Sequence, residues 1–186
     1  MMFKKILIPT DGSALSAQSA NAGISFARST GAEIVALHVS QPFAATMGFD
    51  GMSAAYAITD EDYDKANTEQ AKKHLKSVVD RAETAGVKAT AHAVSNFNIA
   101  DGIVQAATDY QCDLIFMGSH GRSGLSRLLL GSVTTKVLAL THNAVLVYRV
   151  KDESKSHLAL GWHMIEVTLG SSVAAVAARE ASGERI

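Results

Sequence analysis

The chain has 186 residues, a length that suits one domain with an appendage. Hydrophobic residues make up 47% and charged residues 19%, which supports a sizeable core and excludes disorder throughout. With 17 basic and 18 acidic side chains the formal net charge is −1, so nothing in the balance points to a nucleic-acid or membrane-surface partner.

The opening Met-Met-Phe-Lys-Lys is followed by only three aliphatic residues, Ile6 to Ile8, before Pro9, Thr10 and Asp11. That run is too short for a signal-peptide core. Residues 3–9 are apolar and β-rich and stop at the turn residues Thr10-Asp11-Gly12-Ser13, which predicts a buried strand. Residues 14–30 carry Leu15, Ala22, Phe26 and Ala27 at helical spacing, and Gly31 stands where a helix C-cap belongs. Residues 33–40, EIVALHVS, predict a second strand. Residues 41–59, with Pro42, Gly48 and Gly51, form a long connection of a kind that is often functional. A polar helix is expected from about Asp60 to Ala85, with Asp60, Glu61 and Asp62 favourably placed at its positive dipole end. Residues 88–95 alternate as a strand, and Asn98 can cap a helix running to about Gln111. Residues 113–118 form a strand, 132–142 a helix and 144–150 a last strand.

The pattern is β-α-β-α-β-α-β-α-β. Strands separated by helices need crossovers, so the fold class is α/β: an open, mostly parallel five-stranded sheet with helices on both faces. Such sheets bind ligands outside the carboxyl ends of their strands, where the strand order reverses. Lys151 to Ser156 read as a polar linker. Residues 1–150 are therefore expected to form the domain and 151–186 a C-terminal extension. In the extension, 158–169 alternate like a strand, and Ser171 to Ser182 could form a short alanine-rich helix. No apolar stretch approaches the ~20 residues needed to span a bilayer, so the expected location is the cytoplasm.

The chemistry concentrates in Met117 to Val133, MGSHGRSGLSRLLLGSV. Gly118, Gly121, Gly124 and Gly131 sit between a strand and a helix. Glycines let a ligand approach the backbone, and successive exposed N–H groups form an anion-binding concavity. The helix that follows adds unpaired N–H donors and a positive dipole end. Ser132 is placed either as an N-cap or as a hydroxyl donor to phosphate. The loop contains no lysine, which excludes a Walker-type P-loop. The first turn is PTDGSAL, which excludes the dinucleotide fingerprint. The spacing is G-x2-G-x9-G-[ST].

The opening ILIPTDGS, the second strand ending LHVS, and DLIFMGSHGRSGLSRLLLGSVTTKVL followed by AVLVYRV resemble the universal stress protein family over about residues 3–150. The glycine pattern resembles its ATP-binding branch. The resemblance implies a parallel sheet of order 3-2-1-4-5. It implies that Pro9, Thr10 and Asp11 border the adenosine, with Asp11 near the ribose, and that Val39 contacts adenine through its backbone. Met117 and Gly118 would line the nucleoside, with Ser119 also in the cofactor-binding set. Gly121, Arg122, Gly131, Ser132 and Val133 would surround the phosphates. It also implies a homodimer through the last strand, 144–150, which in that order lies at a sheet edge with unpaired backbone groups. Residues 158–169 could instead cover that edge.

Each singled-out residue also has a plainer reading. Asp11 suits a turn or a helix cap, because Asp-Gly is a common turn pair. Arg127 and His120 read as solvated, since catalysis by histidine needs a positioned partner and the sequence assigns none. The seven histidines show no close pair of metal-ligand spacing. A Mg2+ riding on ATP phosphates is expected to keep water and few protein ligands. Cys112 abuts a buried strand and reads as an inert core thiol. The sequence thus favours an ATP-binding, stress-linked regulatory homodimer with no catalytic residues. A slow ATPase or phosphotransferase using the same loop is the enzymatic alternative. A structural dimer with a vestigial loop is the third.

Overall fold

Each predicted apolar run becomes a strand, and the starts of three of the helices that follow carry a side-chain cap. In the computed structural model the described residues are 3–46, 59–119, 130–149, 163–169 and 172–178. The order is β1 (Lys5–Pro9), α1 (Ala14–Thr30), β2 (Glu33–Ser40), α2 (Phe43–Thr46), α3 (Asp60–Thr84), β3 (Ala89–Ser95), α4 (Ile99–Asp109), β4 (Leu114–Gly118), α5 (Ser132–Leu140), β5 (Ala144–Tyr148), β6 (His163–Leu169) and β7 (Ser172–Ala178). The Ser13 hydroxyl caps α1 by accepting from the Ser16 N–H at 3.1 Å. Thr59 caps α3 in the same way, accepting from Asp62 at 3.1 Å, with Asp60, Glu61 and Asp62 in the first turn. Asn98 caps α4, accepting from Ala100 at 3.0 Å. Such caps satisfy N–H groups that the helix itself leaves unpaired.

The first five strands are all parallel and lie in the order β3-β2-β1-β4-β5, as the resemblance implies. Side-chain alternation sends Ile6 and Ile8 of β1 to one face and Leu7 to the other. On the first face they meet Ala20, Ile24 and Ala27 of α1 and Leu75, Val78 and Ala82 of α3. On the second, Leu7 meets Ala100, Ile103 and Ala106 of α4 and Val137 of α5. β1, β2, β4 and β5 are thus sandwiched between two helical layers, which explains their near-continuous apolar sequences. Ile6, Leu7 and Ile8 are fully buried, and truncating any one of them to Ala should cost roughly 2–5 kcal/mol.

The C-terminal segment corrects two expectations. β6 pairs antiparallel with β5 (Val145↔Thr168, Leu146↔Val167, Val147↔Glu166), so 144–150 is not a sheet edge. The backbone groups assigned to a second copy are taken by the same chain, as the alternative placement of 158–169 anticipated. The expected helix over 171–182 is instead a strand, β7, paired antiparallel with β6 from His163↔Ala178 to Leu169↔Ser172. Alanine favours a helix, but Val173 and Val176 favour a strand, and a neighbouring strand is available to pair with. The full sheet is seven-stranded, β3-β2-β1-β4-β5-β6-β7.

Two predictions arise from this packing. A chain truncated after Lys151 loses β6 and β7 and bares the outer edge of β5. It should self-associate through that edge, seen by light scattering as at least twice the mass of one truncated chain. An unchanged association state would show that β6 does not protect that edge. The second concerns Cys112, which is buried, with its thiol pushed up to about 11 by that burial. At pH 8 about one thiol in a thousand is ionised at such a value, so a disulfide exchange reagent should label the folded protein orders of magnitude more slowly than the denatured chain. Equal rates in the two states would refute the inert-thiol reading.

Candidate functional site

The site begins where the central ladder stops. β1 pairs with β2 along its whole length, from Lys5↔Glu33 to Pro9↔Leu37. With β4 it pairs only at Ile6↔Leu114 and Leu7↔Ile115. The Thr10 N–H reaches back to the Leu37 carbonyl at 2.8 Å, so residue 10 faces β2 and strand alternation turns residue 9 toward β4. Residue 9 is proline, which has no N–H to give. The ladder therefore lacks a donor on the β4 side, while β4 continues paired with β5 through Met117↔Val147 and Gly118↔Tyr148. The carboxyl ends of β1 and β4 diverge, since β1 feeds a helix toward β2 and β4 feeds one toward β5, and sheets of this kind take ligands between such ends. This is the topological switch point.

The β1–α1 turn follows the first of these ends. Gly12 adopts φ 75°, a left-handed conformation suited to glycine. Asp11 Oδ1 accepts the Ser13 N–H at 2.9 Å and Thr10 Oγ1 accepts the Gly12 N–H at 3.2 Å. Asp11 therefore does serve the turn, as its plainer reading held, and it also lines a cavity of about 490 Å3 with Gly12, Ser13, Gln70, Lys73 and His74. The last three come from α3. A Cβ at Gly12 would collide with the His74 ring, so α3 packs directly on the turn.

The loop after β4 is described only at its two ends, 118–119 and 130–131. Its ends are tied: the Gly131 N–H donates to the Ser119 carbonyl and the Ser119 N–H to the Tyr148 carbonyl, each at 2.8 Å. The Thr134 hydroxyl donates to the Gly118 carbonyl at 3.0 Å, fixing α5 against the end of β4. Gly131 is the N-cap of α5 and gives no side-chain cap. Ser132 is thus the first helical residue and not the cap, a correction to the first of its two expected roles. It is exposed and Val133 is half-buried. Gly121 and Arg122, like His120, Gly124 and Arg127, lie outside the described residues.

Val39, next to last in β2, lies beside the first turn of α4. The fit is close enough that a Cβ on Gly102 would stand 2.7 Å from Val39 Cγ1. Pro9 is half-buried and Thr10 is buried at the turn. Met117 is buried in the core with Val137 and Val145, and Ser119 is buried at the loop base. The predicted residues that are described thus gather at the carboxyl ends of β1, β2 and β4 and at the start of α5. Sequence reasoning missed Gln70, Lys73 and His74, because a helix face read by periodicity does not reveal which turn it covers. It also missed the proximity of His38 and His74, whose ring centroids are 5.2 Å apart. Among the described residues no group of three His, Cys, Asp or Glu side chains could hold a metal ion, and no helix is long and apolar enough to cross a membrane.

Comparison with known proteins follows this geometry. Universal stress protein MJ0531 of Methanocaldococcus jannaschii is 36% identical over 148 residues, covering 80% of this chain and 83% of its own. The structure of MJ0577 from the same organism superposes with a TM-score of 0.68 at 30% identity, covering 82% of this chain and all of that one. A universal stress protein solved in complex with cAMP superposes with a TM-score of 0.58 at 25% identity, covering 79% of this chain and 97% of that one. The model of the universal stress protein family matches residues 2–149. From its first strand to the end of β5, the chain belongs to the universal stress protein family.

Proposed function

We propose that this protein binds an adenine nucleotide, ATP in the first instance, in the crevice between the carboxyl ends of β1 and β4, and that it acts as a stress-linked regulator in the cytoplasm rather than as an efficient enzyme. The observation that carries the reading is the tied base of the glycine loop. The Ser119–Gly131 hydrogen bond brings that loop against the start of α5, where the cap carries no side chain. N–H groups of the first turn are then available to a phosphate, and the helix dipole favours its charge. A family member in complex with cAMP supports the adenine part.

In this reading Pro9, Thr10 and Asp11 border the nucleoside and Val39 meets the base. Met117, Gly118 and Ser119 form the floor. Gly121, Arg122, Gly131, Ser132 and Val133 surround the phosphates, with Mg2+ carried on them. The formal net charge is only −1, so attraction for a polyanion must come from local dipoles and the loop arginines and not from the overall field. Homodimer formation is part of the proposal. Because β6 lies on β5, assembly through 144–150 would require β6 to leave.

Gly131 has φ −61° and ψ 152°, a backbone open to any residue. Gly131→Val should therefore fold, losing at most about 1 kcal/mol at the cap. Its branched side chain fills the space a phosphate needs, so calorimetry should show ATP affinity lowered at least tenfold, about 1.4 kcal/mol. Unchanged affinity in a folded Gly131→Val protein would remove the loop from the site. Turnover of Mg-ATP should be far below the enzyme median of about 10 per second. A rate near that median, lost on substituting one loop residue, would make this an enzyme.

A further inference from the structure

Thr10 is the residue where the buried strand becomes the exposed turn, and each of its polar groups is engaged. Its N–H donates to Leu37 O at 2.8 Å, and its hydroxyl accepts from Gly12 N and lies 3.2 Å from Ser16 Oγ. Its carbonyl receives a side chain: His38 Nδ1, buried at the end of β2, lies 2.8 Å away. A carbonyl oxygen only accepts, so Nδ1 carries the proton and donates. The ring of His38 is tilted 58° against that of His74, in edge-to-face contact. His74 in turn lies over Gly12. The two imidazoles thus hold both sides of the turn, one from β2 beneath it and one from α3 beside it.

We propose that His38 and His74 are positioning residues that together set the Thr10–Ser13 turn, the wall of the crevice carrying Asp11. His38 acts through its hydrogen bond to Thr10 and His74 by packing on Gly12. The affinity consequence rests on the nucleotide reading above, whereas the effect on the turn does not. A strand end followed by a glycine at positive φ has many accessible conformations, and fixing one in advance removes an ordering cost from binding. A histidine that only filled core volume would be replaceable by another ring of similar size. A histidine that positions the turn would need its donor.

Two variants of the full chain separate these roles. His38→Phe keeps a ring against His74 and removes the donor. His38→Asn places an amide N–H close to where Nδ1 stands. The first readout is the backbone order parameter of the Gly12 and Ser13 amides without ligand. The second is ATP affinity by calorimetry. In the native chain and in His38→Asn the two amides should be rigid, with order parameters near ~0.85; in His38→Phe they should fall below ~0.6 while Val145 and Val147 stay rigid. ATP affinity should fall about tenfold in His38→Phe and return to within about threefold in His38→Asn. The proposal is overturned if His38→Phe leaves the turn rigid, or if His38→Asn loosens it as much as His38→Phe does. If the native chain binds no ATP, the nucleotide reading fails and the order parameters alone decide this one. Should His38→Phe not fold, His74→Ala takes its place, with the same loss of order expected at Gly12 and the same overturning result if Gly12 stays rigid.

Discussion

The missing N–H of Pro9 is the constraint on which the site depends. A central parallel strand would ordinarily pair to its end with both neighbours. Here the pairing with β2 continues past Pro9 to Thr10, while the pairing with β4 ends at Leu7. Proline in a sheet interior normally disrupts the ladder, and it is tolerated here because it stands at the last residue of the strand, on the side that opens. The break falls between the two strands whose crossovers run in opposite directions. The crevice required by topology is thereby also a gap in hydrogen bonding.

Around that gap the described strands are closely packed. β1, β2, β4 and β5 lie under helices on both faces, and their apolar residues are almost fully buried. Two helices begin at the crevice, α1 after Ser13 and α5 after Gly131. α1 is closed by the Ser13 hydroxyl, so its first N–H groups are partly occupied. α5 has no such side chain at its cap, which distinguishes the two helix starts. The difference is chemical and follows from one residue type at each cap: serine satisfies a donor with its hydroxyl, and glycine has no side chain to do so.

The two C-terminal strands change the sheet. β6 and β7 extend the β5 side with antiparallel strands, so the parallel sheet of the family becomes a mixed sheet in this chain. An uncovered strand edge is open to pairing with any other chain, and covering it is a common remedy. The new outer strand, β7, reads SVAAVAA, with small side chains and no charge. The edge is therefore moved outward rather than abolished.

The sequence alone determined the elements of the parallel sheet and their class. Buried strands announce themselves as apolar runs and the start of α4 as Asn98, because each signal is local and has a local physical cause. The strand order came with the family resemblance carried by ILIPTDGS and GSHGRSGLSRLLLGSV, not with periodicity. The starts of α1, α3, α4 and α5 were legible to within a residue, whereas the short α2 fell inside the expected connection 41–59, and the error at Ser132 arose because a glycine N-cap leaves no side-chain signature. The tertiary structure alone decided which strand would lie at the edge. Whether 144–150 meets solvent, a second copy or 163–169 depends on pairing between segments far apart in the chain, and alternation cannot name a partner. Tertiary structure also brought His38 to Thr10 and His74 to Gly12. Those contacts join β2 and α3 to the turn after β1: the pairing of β1 with β2 brings the first within reach, and the packing of α3 on the sheet brings the second.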